Sequence, residues 1–271
     1  PQPRGSWPTY DPNAMPPDTV AYLVSGTRVA RLLTNGPVSV PGGAGLGEPP
    51  LSGLAITLQG DRVAGLDEKT RLWSGPMVQG EDLTEIGSGP GQSRPSFGRG
   101  EDVWALDANG VLQRTTPDGI ATEVPVEGLP DRVEIDSVAL SRDGTRIALV
   151  TRRGPRAILF IAVVVQREGI RIVTNPVRAE SRLTEFVDVA WLQDDLLVAI
   201  ASEGAAKPTL HEIDLARGTI RDLGSPDNPV RVAAAPGRSI LVGTEDGRIF
   251  SPLAGTWELA ANGRSPAYPG S

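Results

Sequence analysis

Few side chains of this 271-residue chain are suited to catalysis, because the sequence contains one histidine and no cysteine. The absence of cysteine excludes a thiolate nucleophile, a thiolate metal site and any disulfide. His211 lies in Thr209-Leu-His-Glu-Ile-Asp214, where it could act as a base or a ligand together with Glu212 or Asp214. The segment is typical of a β-strand, in which successive side chains face opposite sides. His211 and Glu212 should therefore diverge, and we interpret His211 as an ordinary strand histidine.

Carboxylates are the other candidates for chemistry, because converging carboxylates can hydrolyse glycosides or hold Ca²⁺. Acidic residues are adjacent in four places: Glu81-Asp82, Glu101-Asp102, Asp194-Asp195 and Glu245-Asp246. Each pair falls at a predicted turn, where an acid commonly starts the bend. The Gly-rich segment 87–91 lacks the Gly-Lys-Ser/Thr ending of a phosphate-binding loop. We therefore predict that the protein is not an enzyme and has no catalytic residue, no metal site and no cofactor. The alternative is a hydrolase of the glycosidase or lactonase type, or a small-ligand binder, that uses carboxylates at a central channel.

Arginine is the main basic residue of this chain, and it is unevenly distributed along the sequence. The formal net charge is −7, which disfavours a protein whose whole surface binds nucleic acid. Residues 132–182 nevertheless carry ten Arg and five acids, a net charge of +5 against −12 for the rest. Three of these arginines, Arg152, Arg153 and Arg156, lie at one predicted hairpin tip. We predict that they form a basic docking patch for an acidic partner or phosphate-bearing envelope material, with a solvated hairpin tip as the alternative.

The elements that must position these residues form a repeat. The 32 Gly and 25 Pro disfavour long helices and favour turns. Five segments share the order strand, turn, strand, turn, strand, turn, strand, and they start near residues 54, 94, 135, 186 and 230. A period of about 40 to 50 residues is typical of the four-stranded blades of a β-propeller. Trp73, Trp104, Trp191 and Trp257 lie in predicted strands, and we expect them to fill the gaps between blades rather than to stack on a ligand.

The N-terminal segment 20–40 supplies a sixth unit. Its first strand could be Pro8-Thr-Tyr10 or the C-terminal Ser265-Pro-Ala-Tyr268, since both resemble Arg94-Pro-Ser-Phe97 at the start of the second unit. The C-terminal choice would close the ring and remove two exposed sheet edges. We predict an all-β propeller of four-stranded antiparallel blades, with six blades as the first choice and five as the alternative. Residues 1–18 are expected to be a linker from a missing N-terminal region, and residues 19–271 a single propeller domain.

Several segments resemble one known family, the C-terminal β-propeller domain of the actinobacterial lipoprotein LpqB. They are Ala21-Tyr-Leu-Val-Ser-Gly26, Ser93-Arg-Pro-Ser-Phe97, Asp102-Val-Trp-Ala-Leu-Asp107, Leu140-Ser-Arg-Asp-Gly-Thr-Arg-Ile-Ala-Leu149 and Ser265-Pro-Ala-Tyr-Pro-Gly270. The resemblance implies an envelope lipoprotein with a signal peptide, a lipidated Cys and a GerMN-type domain before the propeller. On this basis the chain would be the C-terminal domain alone, held through an N-terminal lipid anchor at the extracytoplasmic face of the cell membrane.

The resemblance also implies a partner. Members of this family are associated with a two-component system through the extracytoplasmic part of the sensor histidine kinase MtrB. The function expected is that of a non-catalytic interaction domain that binds this part of the kinase and modulates its signalling. From the acidic net charge, we expect no nucleic-acid partner.

Overall fold

The computed structural model describes residues 19–25, 28–33, 36–39, 51–77, 83–89, 93–179, 182–253 and 255–270. Within these residues, 24 β-strands form six four-stranded antiparallel sheets. Each sheet is one blade. Blades 1 to 5 follow the order of the five repeated units, and blade 6 contains the N-terminal strands. The prediction of an all-β propeller with six blades is confirmed, and the five-blade alternative is wrong. The expected linker 1–18 lies outside the described residues.

The strands follow the chain blade by blade. Blade 6 begins with β1 (Thr19–Ser25), β2 (Arg28–Leu33) and β3 (Gly36–Ser39). Blade 1 consists of β4 (Leu51–Ile56), β5 (Arg62–Asp67), β6 (Arg71–Pro76) and β7 (Thr84–Ser88). Blade 2 consists of β8 (Ser96–Phe97), β9 (Val103–Leu106), β10 (Leu112–Thr115) and β11 (Ala121–Glu123), with a short 3-10 turn at Arg99–Glu101. Blade 3 consists of β12 (Glu134–Leu140), β13 (Arg146–Arg153), β14 (Arg156–Arg167) and β15 (Ile170–Arg178). Blade 4 consists of β16 (Leu183–Gln193), β17 (Leu196–Glu203), β18 (Thr209–Asp214) and β19 (Thr219–Gly224). Blade 5 consists of β20 (Pro229–Ala233), β21 (Leu241–Thr244), β22 (Arg248–Leu253) and β23 (Thr256–Asn262), and β24 (Arg264–Ala267) completes blade 6.

Several hairpins are formed by an acid and a glycine placed where the turn needs them. In blade 2, Oδ1 of Asp107 accepts the backbone N–H groups of Asn109 at 2.8 Å and Val111 at 2.9 Å. Gly110 in the same turn has a φ of 77°, a conformation that glycine adopts without steric penalty. The hairpin that follows Asp67 in blade 1 uses the same carboxylate geometry. In the blade 2 turn the acid and the glycine therefore act together to reverse the chain within a few residues.

An apolar cluster fills each of the six interfaces between neighbouring described blades. Each blade is therefore buried on both faces, which explains why many strands are continuously apolar. Trp104 and Trp191 are buried in these clusters, and Trp73 and Trp257 pack half-buried against them. The expectation that the four tryptophans fill the gaps between blades is confirmed. No helix in the described part of the chain is long and apolar enough to cross a membrane.

The C-terminus closes the ring, as the sequence suggested. Strand β24 pairs antiparallel with β1, so blade 6 contains strands from both ends of the chain. The tail continues into Tyr268, which is buried and donates its hydroxyl to the carbonyl oxygen of Ser239 at 2.7 Å. Pro269 then forms a bridge with Ile56 of blade 1. The last described residues thus link blades 5, 6 and 1.

The two ends of the propeller carry different connections. The innermost strands are β4, β8, β12, β16, β20 and β24, and each contacts the next around the ring. We call the end at which these strands begin the upper face. Because neighbouring strands run antiparallel, the hairpin between the second and third strands of each of blades 1 to 5 also lies at the upper face.

Candidate functional site

A buried arginine crosses the central channel. The channel is bounded by the edges of the innermost strands, whose backbone groups have no further strand to pair with. Arg94 lies just before β8, and its Nη1 and Nη2 donate to the carbonyl oxygens of Val232 at 2.8 Å and Val189 at 2.9 Å. These carbonyls belong to blades 5 and 4. Arg94 therefore ties blade 2 to two blades on the far side of the channel.

Asp188 of β16 completes this contact. Its Oδ2 accepts the backbone N–H of Val232 at 2.8 Å, and its Oδ1 lies 3.6 Å from Nε of Arg94. The two side chains are only 5% and 6% exposed. A buried ion pair is tolerated when its other polar atoms are also hydrogen-bonded, and here the strand edges supply those bonds. The carboxylate of Asp188 is therefore engaged by protein groups.

The sequence analysis singled out neither residue of this pair. Asp188 could have been recognised from the sequence, because it interrupts an otherwise apolar strand. An acid in a strand that is buried on both faces requires a partner. Nothing local marks Arg94 as that partner, since the two residues are 94 positions apart and share no periodicity.

A cavity of about 500 Å³ opens at the upper end of the channel. Phe186 and Val230 are among its apolar lining residues. Arg231 also lines it, and its Nε lies 3.5 Å from the carbonyl oxygen of Ser52. The described charged side chains around the cavity are Glu68, Glu245, Arg231 and Arg264. This lining has mixed sign, whereas the hydrolase alternative requires converging carboxylates.

In each described acidic pair noted in the sequence, at least one acid is engaged within a hairpin or between blades. Asp102 accepts Nε of Arg114 at 2.7 Å, and Asp195 accepts Nη1 of Arg146 at 2.9 Å. Asp246 is held by the side chains of its own turn, those of Thr244 and Arg248. The pair Glu81-Asp82 lies outside the described residues. In the part of the chain that the structure describes, no group of three or more His, Asp and Glu side chains could hold a metal ion.

His211 is buried in β18, and its imidazole contacts residues of the same strand and of the neighbouring strand. Its Nε2 lies 3.1 Å from Oγ1 of Thr209 and 3.2 Å from the carbonyl oxygen of Ala201. Glu212 forms an ion pair with Arg221 at 3.2 Å instead of contacting the imidazole. The predicted divergence of His211 and Glu212 is therefore confirmed.

The predicted basic patch lies at the upper face, on the β13–β14 hairpin of blade 3. Arg152 is half-buried, and its Nε donates to Oδ2 of Asp136 at 2.7 Å. Arg153 and Arg156 are exposed and lie directly opposite each other across the two-residue turn. The structure therefore divides the three arginines into one that is held by an acid of its own blade and two at the tip.

A groove of about 860 Å³ separates this hairpin from blade 2 at the upper face. Its apolar lining comes from the loop before β12 and from the start of that strand. Arg152 and Asp136 also line it, and the hairpin tip of blade 2 contributes Asn109 and Gly110. The apolar residues are Val126, Leu129, Pro130, Val133 and Ile135.

The sequence of the chain matches one protein family over most of its length. The family model described as the lipoprotein LpqB beta-propeller domain matches residues 27–269. Two relatives named Lipoprotein LpqB, from Streptomyces coelicolor and Mycobacterium tuberculosis, are each 27% identical to the chain. These alignments cover 95% and 92% of this chain, and 46% and 45% of the two relatives. The chain thus spans about half the length of the curated relatives it matches.

Solved structures of low sequence identity share the architecture. TolB from Acinetobacter baumannii superimposes with a TM-score of 0.65 at 14% identity, covering 91% of this chain and 65% of TolB. A chain of a nidogen/laminin complex gives a TM-score of 0.62 at 12% identity, covering 91% of this chain and 96% of that one. At such identities the similarity shows the fold alone.

Proposed function

The chain belongs to the lipoprotein LpqB beta-propeller domain family, and from this premise we propose that it is a non-catalytic interaction domain of an envelope lipoprotein. In this proposal the domain sits at the extracytoplasmic face of the cell membrane, tethered through a lipid anchor. It binds the extracytoplasmic part of a two-component sensor histidine kinase and modulates its signalling.

The observation that carries the proposal is the state of the channel. In many proteins a binding or catalytic site is a cleft with unengaged polar groups. Here Arg94 and Asp188 occupy the channel and are engaged by backbone groups of blades 4 and 5. The described charged side chains at the mouth of the channel are of mixed sign, two Glu and two Arg. This arrangement favours contact through the outer surface of the propeller over chemistry at its centre.

The charge distribution supports an interface at the upper face of blade 3. Arg153 and Arg156 project a local positive charge from a chain whose net charge is −7, and Arg152, which is paired with Asp136, lies beside them. A local charge of this kind steers an oppositely charged partner and raises the association rate. We therefore assign the docking of the kinase domain to this basic tip.

The proposal is tested by measuring the affinity of the purified chain for the purified extracytoplasmic domain of the sensor kinase from the same organism. We expect saturable binding that weakens as the salt concentration rises. Changing Arg152, Arg153 and Arg156 together to Ser should weaken binding at low salt by about tenfold or more. The matched control changes the exposed and ion-paired Arg217, Arg221 and Arg248 to Ser. It removes the same formal charge and should leave the affinity within about twofold of the wild type.

Two results would count against the proposal, and they differ. No binding by the wild-type chain at low salt would overturn the kinase-binding role itself. Normal binding by the triple variant at low salt would leave that role standing and remove the basic tip from the interface.

A further inference from the structure

The tip of the β13–β14 hairpin places two positive charges against each other. Arg153 and Arg156 are direct cross-strand partners, and like charges in this position destabilise a hairpin. Neither residue belongs to any ion pair found among the described residues, whereas Arg152 beside them is neutralised by Asp136. A bound anion would therefore relieve the repulsion between Arg153 and Arg156.

The alternation of side chains gives the direction of this charge. In β14, Ile158 and Phe160 face blade 2, and in β13, Ile147 and Leu149 do the same. Because residues two apart share a face of a strand, Arg156 lies on the face of Ile158. By the same rule Arg153 lies on the face of Leu149. Both arginines are thus on the side of blade 3 that borders the groove toward blade 2.

The apolar side of that groove is held in place before any partner arrives. The loop before β12 is fixed to blade 3, because Glu127 N donates to the carbonyl oxygen of Val173 at 2.8 Å. In return, Val173 N donates to the carbonyl oxygen of Pro125 at 2.9 Å. Leu129 and Ile135 pack with their inner sides against the apolar cluster between the two blades. A preformed wall lowers the entropic cost of binding.

We propose that this groove binds an extended acidic and apolar peptide segment of the partner protein. Acidic side chains of the segment pair with Arg153 and Arg156, and aliphatic or aromatic side chains next to them insert beside Leu129, Val133 and Ile135. Guanidinium groups pair well with carboxylates because both are planar and can form two parallel hydrogen bonds. This inference rests on the proposed function, since it specifies which segment of the kinase domain the basic tip recognises.

Acids in the groove set the orientation of the bound segment. Asp136 is engaged by Arg152, and Glu134 lies directly across from Arg152 in the next strand. Because Asp136 is already neutralised by Arg152, Glu134 is the carboxylate that repels a second acidic cluster at the inner end of the groove. The acidic part of the segment therefore lies toward the hairpin tip, and its apolar part lies toward blade 2.

The first experiment separates the charged from the apolar half of the site by measuring affinity for the kinase domain at about 50 mM and about 300 mM salt. Arg153→Ser/Arg156→Ser should weaken binding by about tenfold at low salt and less at high salt. Val133→Asp should weaken it by about tenfold at both concentrations, because it places a charge against the apolar part of the segment. Pro130→Asp, at an exposed position of the same wall, repeats this test in case Val133→Asp unfolds. Arg217→Ser/Arg221→Ser is the control and should bind like the wild type.

The outcomes distinguish this inference from the function on which it rests. If the wild type and the Val133→Asp and Pro130→Asp variants bind the kinase domain equally well, the groove is wrong while the interaction role stands. If the wild type does not bind, the groove is tested alone by NMR titration with the peptide Ac-Glu-Asp-Gly-Leu-Leu-amide. Saturable shifts of the Ile135 and Arg153 amides that Val133→Asp abolishes would support the groove, and their absence would overturn it. Binding to vesicles of anionic phospholipid that depends on the arginines but not on Val133 would also overturn it, since a charge-only surface would then explain the tip.

Discussion

The buried arginine in the channel makes a sharp prediction about stability. Replacing Arg94 with Met removes the donors of two buried hydrogen bonds and leaves the carbonyl oxygens of Val189 and Val232 without those donors. It also leaves Asp188 buried, with the N–H of Val232 as its hydrogen-bond donor. Breaking a buried ion pair by removing one partner costs about 3 to 5 kcal/mol. We expect Arg94→Met to lower the free energy of unfolding by that amount.

Asp188→Asn provides the informative comparison. Its amide oxygen can still accept the N–H of Val232, and Arg94 keeps both of its carbonyl acceptors. The loss is therefore confined to the charge interaction at 3.6 Å, and we expect a smaller cost of about 1 to 3 kcal/mol. The double variant Arg94→Met/Asp188→Asn should be less destabilised than the sum of the two single variants, because the two residues contact each other.

Urea unfolding followed by tryptophan fluorescence measures these differences, with Arg217→Ser as an exposed control that should shift the free energy of unfolding by about 0.5 kcal/mol or less. A cost below about 1 kcal/mol for Arg94→Met would refute the reasoning, because it would mean that water replaces the guanidinium without loss. Strict additivity in the double variant would refute the coupling between Arg94 and Asp188.

Three further predictions concern the scaffold. Burial raises the pKa of Asp67, but four hydrogen bonds lower it by more, so the pKa lies below its ordinary value. Ionised Asp67 therefore stabilises the fold at pH values above the pKa of unfolded Asp, about 3.9. This contribution is lost as the pH falls through the lower pKa that Asp67 has in the folded state. Asp67→Asn should therefore cost about 1 to 3 kcal/mol at pH 7 and less near pH 3 in urea titrations. Tyr268→Phe removes the hydrogen bond to Ser239 at the ring closure and should cost about 0.5 to 1.5 kcal/mol, with an unchanged melting temperature counting against it. Gly65→Ala would place its Cβ 2.5 Å from the backbone carbonyl oxygen of Gly53, and thermal unfolding should show a loss of about 1 to 3 kcal/mol, whereas wild-type stability would mean that the two strands separate easily.

The sequence was sufficient to predict the architecture because the fold repeats. Each unit carries its own hairpins, so local turn chemistry locates strand after strand without knowledge of distant contacts. The apolar run Ile158–Val165 lies within β14 as predicted, with its even and odd residues divided between two interfaces. Ring closure by residues 265–268 was also accessible, because the last segment resembles the start of an inner strand and a ring leaves no open edge.

The contacts across the channel could not be predicted from the sequence in this way. Arg94 reaches carbonyl oxygens 95 and 138 positions away, and no local pattern encodes a contact between blades that face each other across a ring. The pairing of Arg152 with Asp136 depends on a β-bulge that the sequence pattern does not reveal. This bulge in β12 between Ile135 and Ser137 shifts the register around Asp136, and bulges change which side chains meet. Periodicity predicts the blades, whereas the interactions between and across them depend on the assembled structure.

The repeat also provides an internal comparison for the proposed interface. The hairpins at the upper face of blades 1 and 2 begin with Asp67 and Asp107, whose carboxylates bind the backbone N–H groups of their own turns. In blade 3 the equivalent turn is Arg153-Gly-Pro-Arg156, so this hairpin lacks the acid that stabilises the turns of blades 1 and 2 and carries two opposed positive charges instead. A turn needs no arginine to reverse the chain, and the opposed pair works against the hairpin. This one position therefore departs from the requirements of folding, and sequences depart from local consistency most often at functional sites. The same reasoning assigns no such role to the acidic hairpins of blades 1 and 2, because their carboxylates are hydrogen-bonded within their own turns.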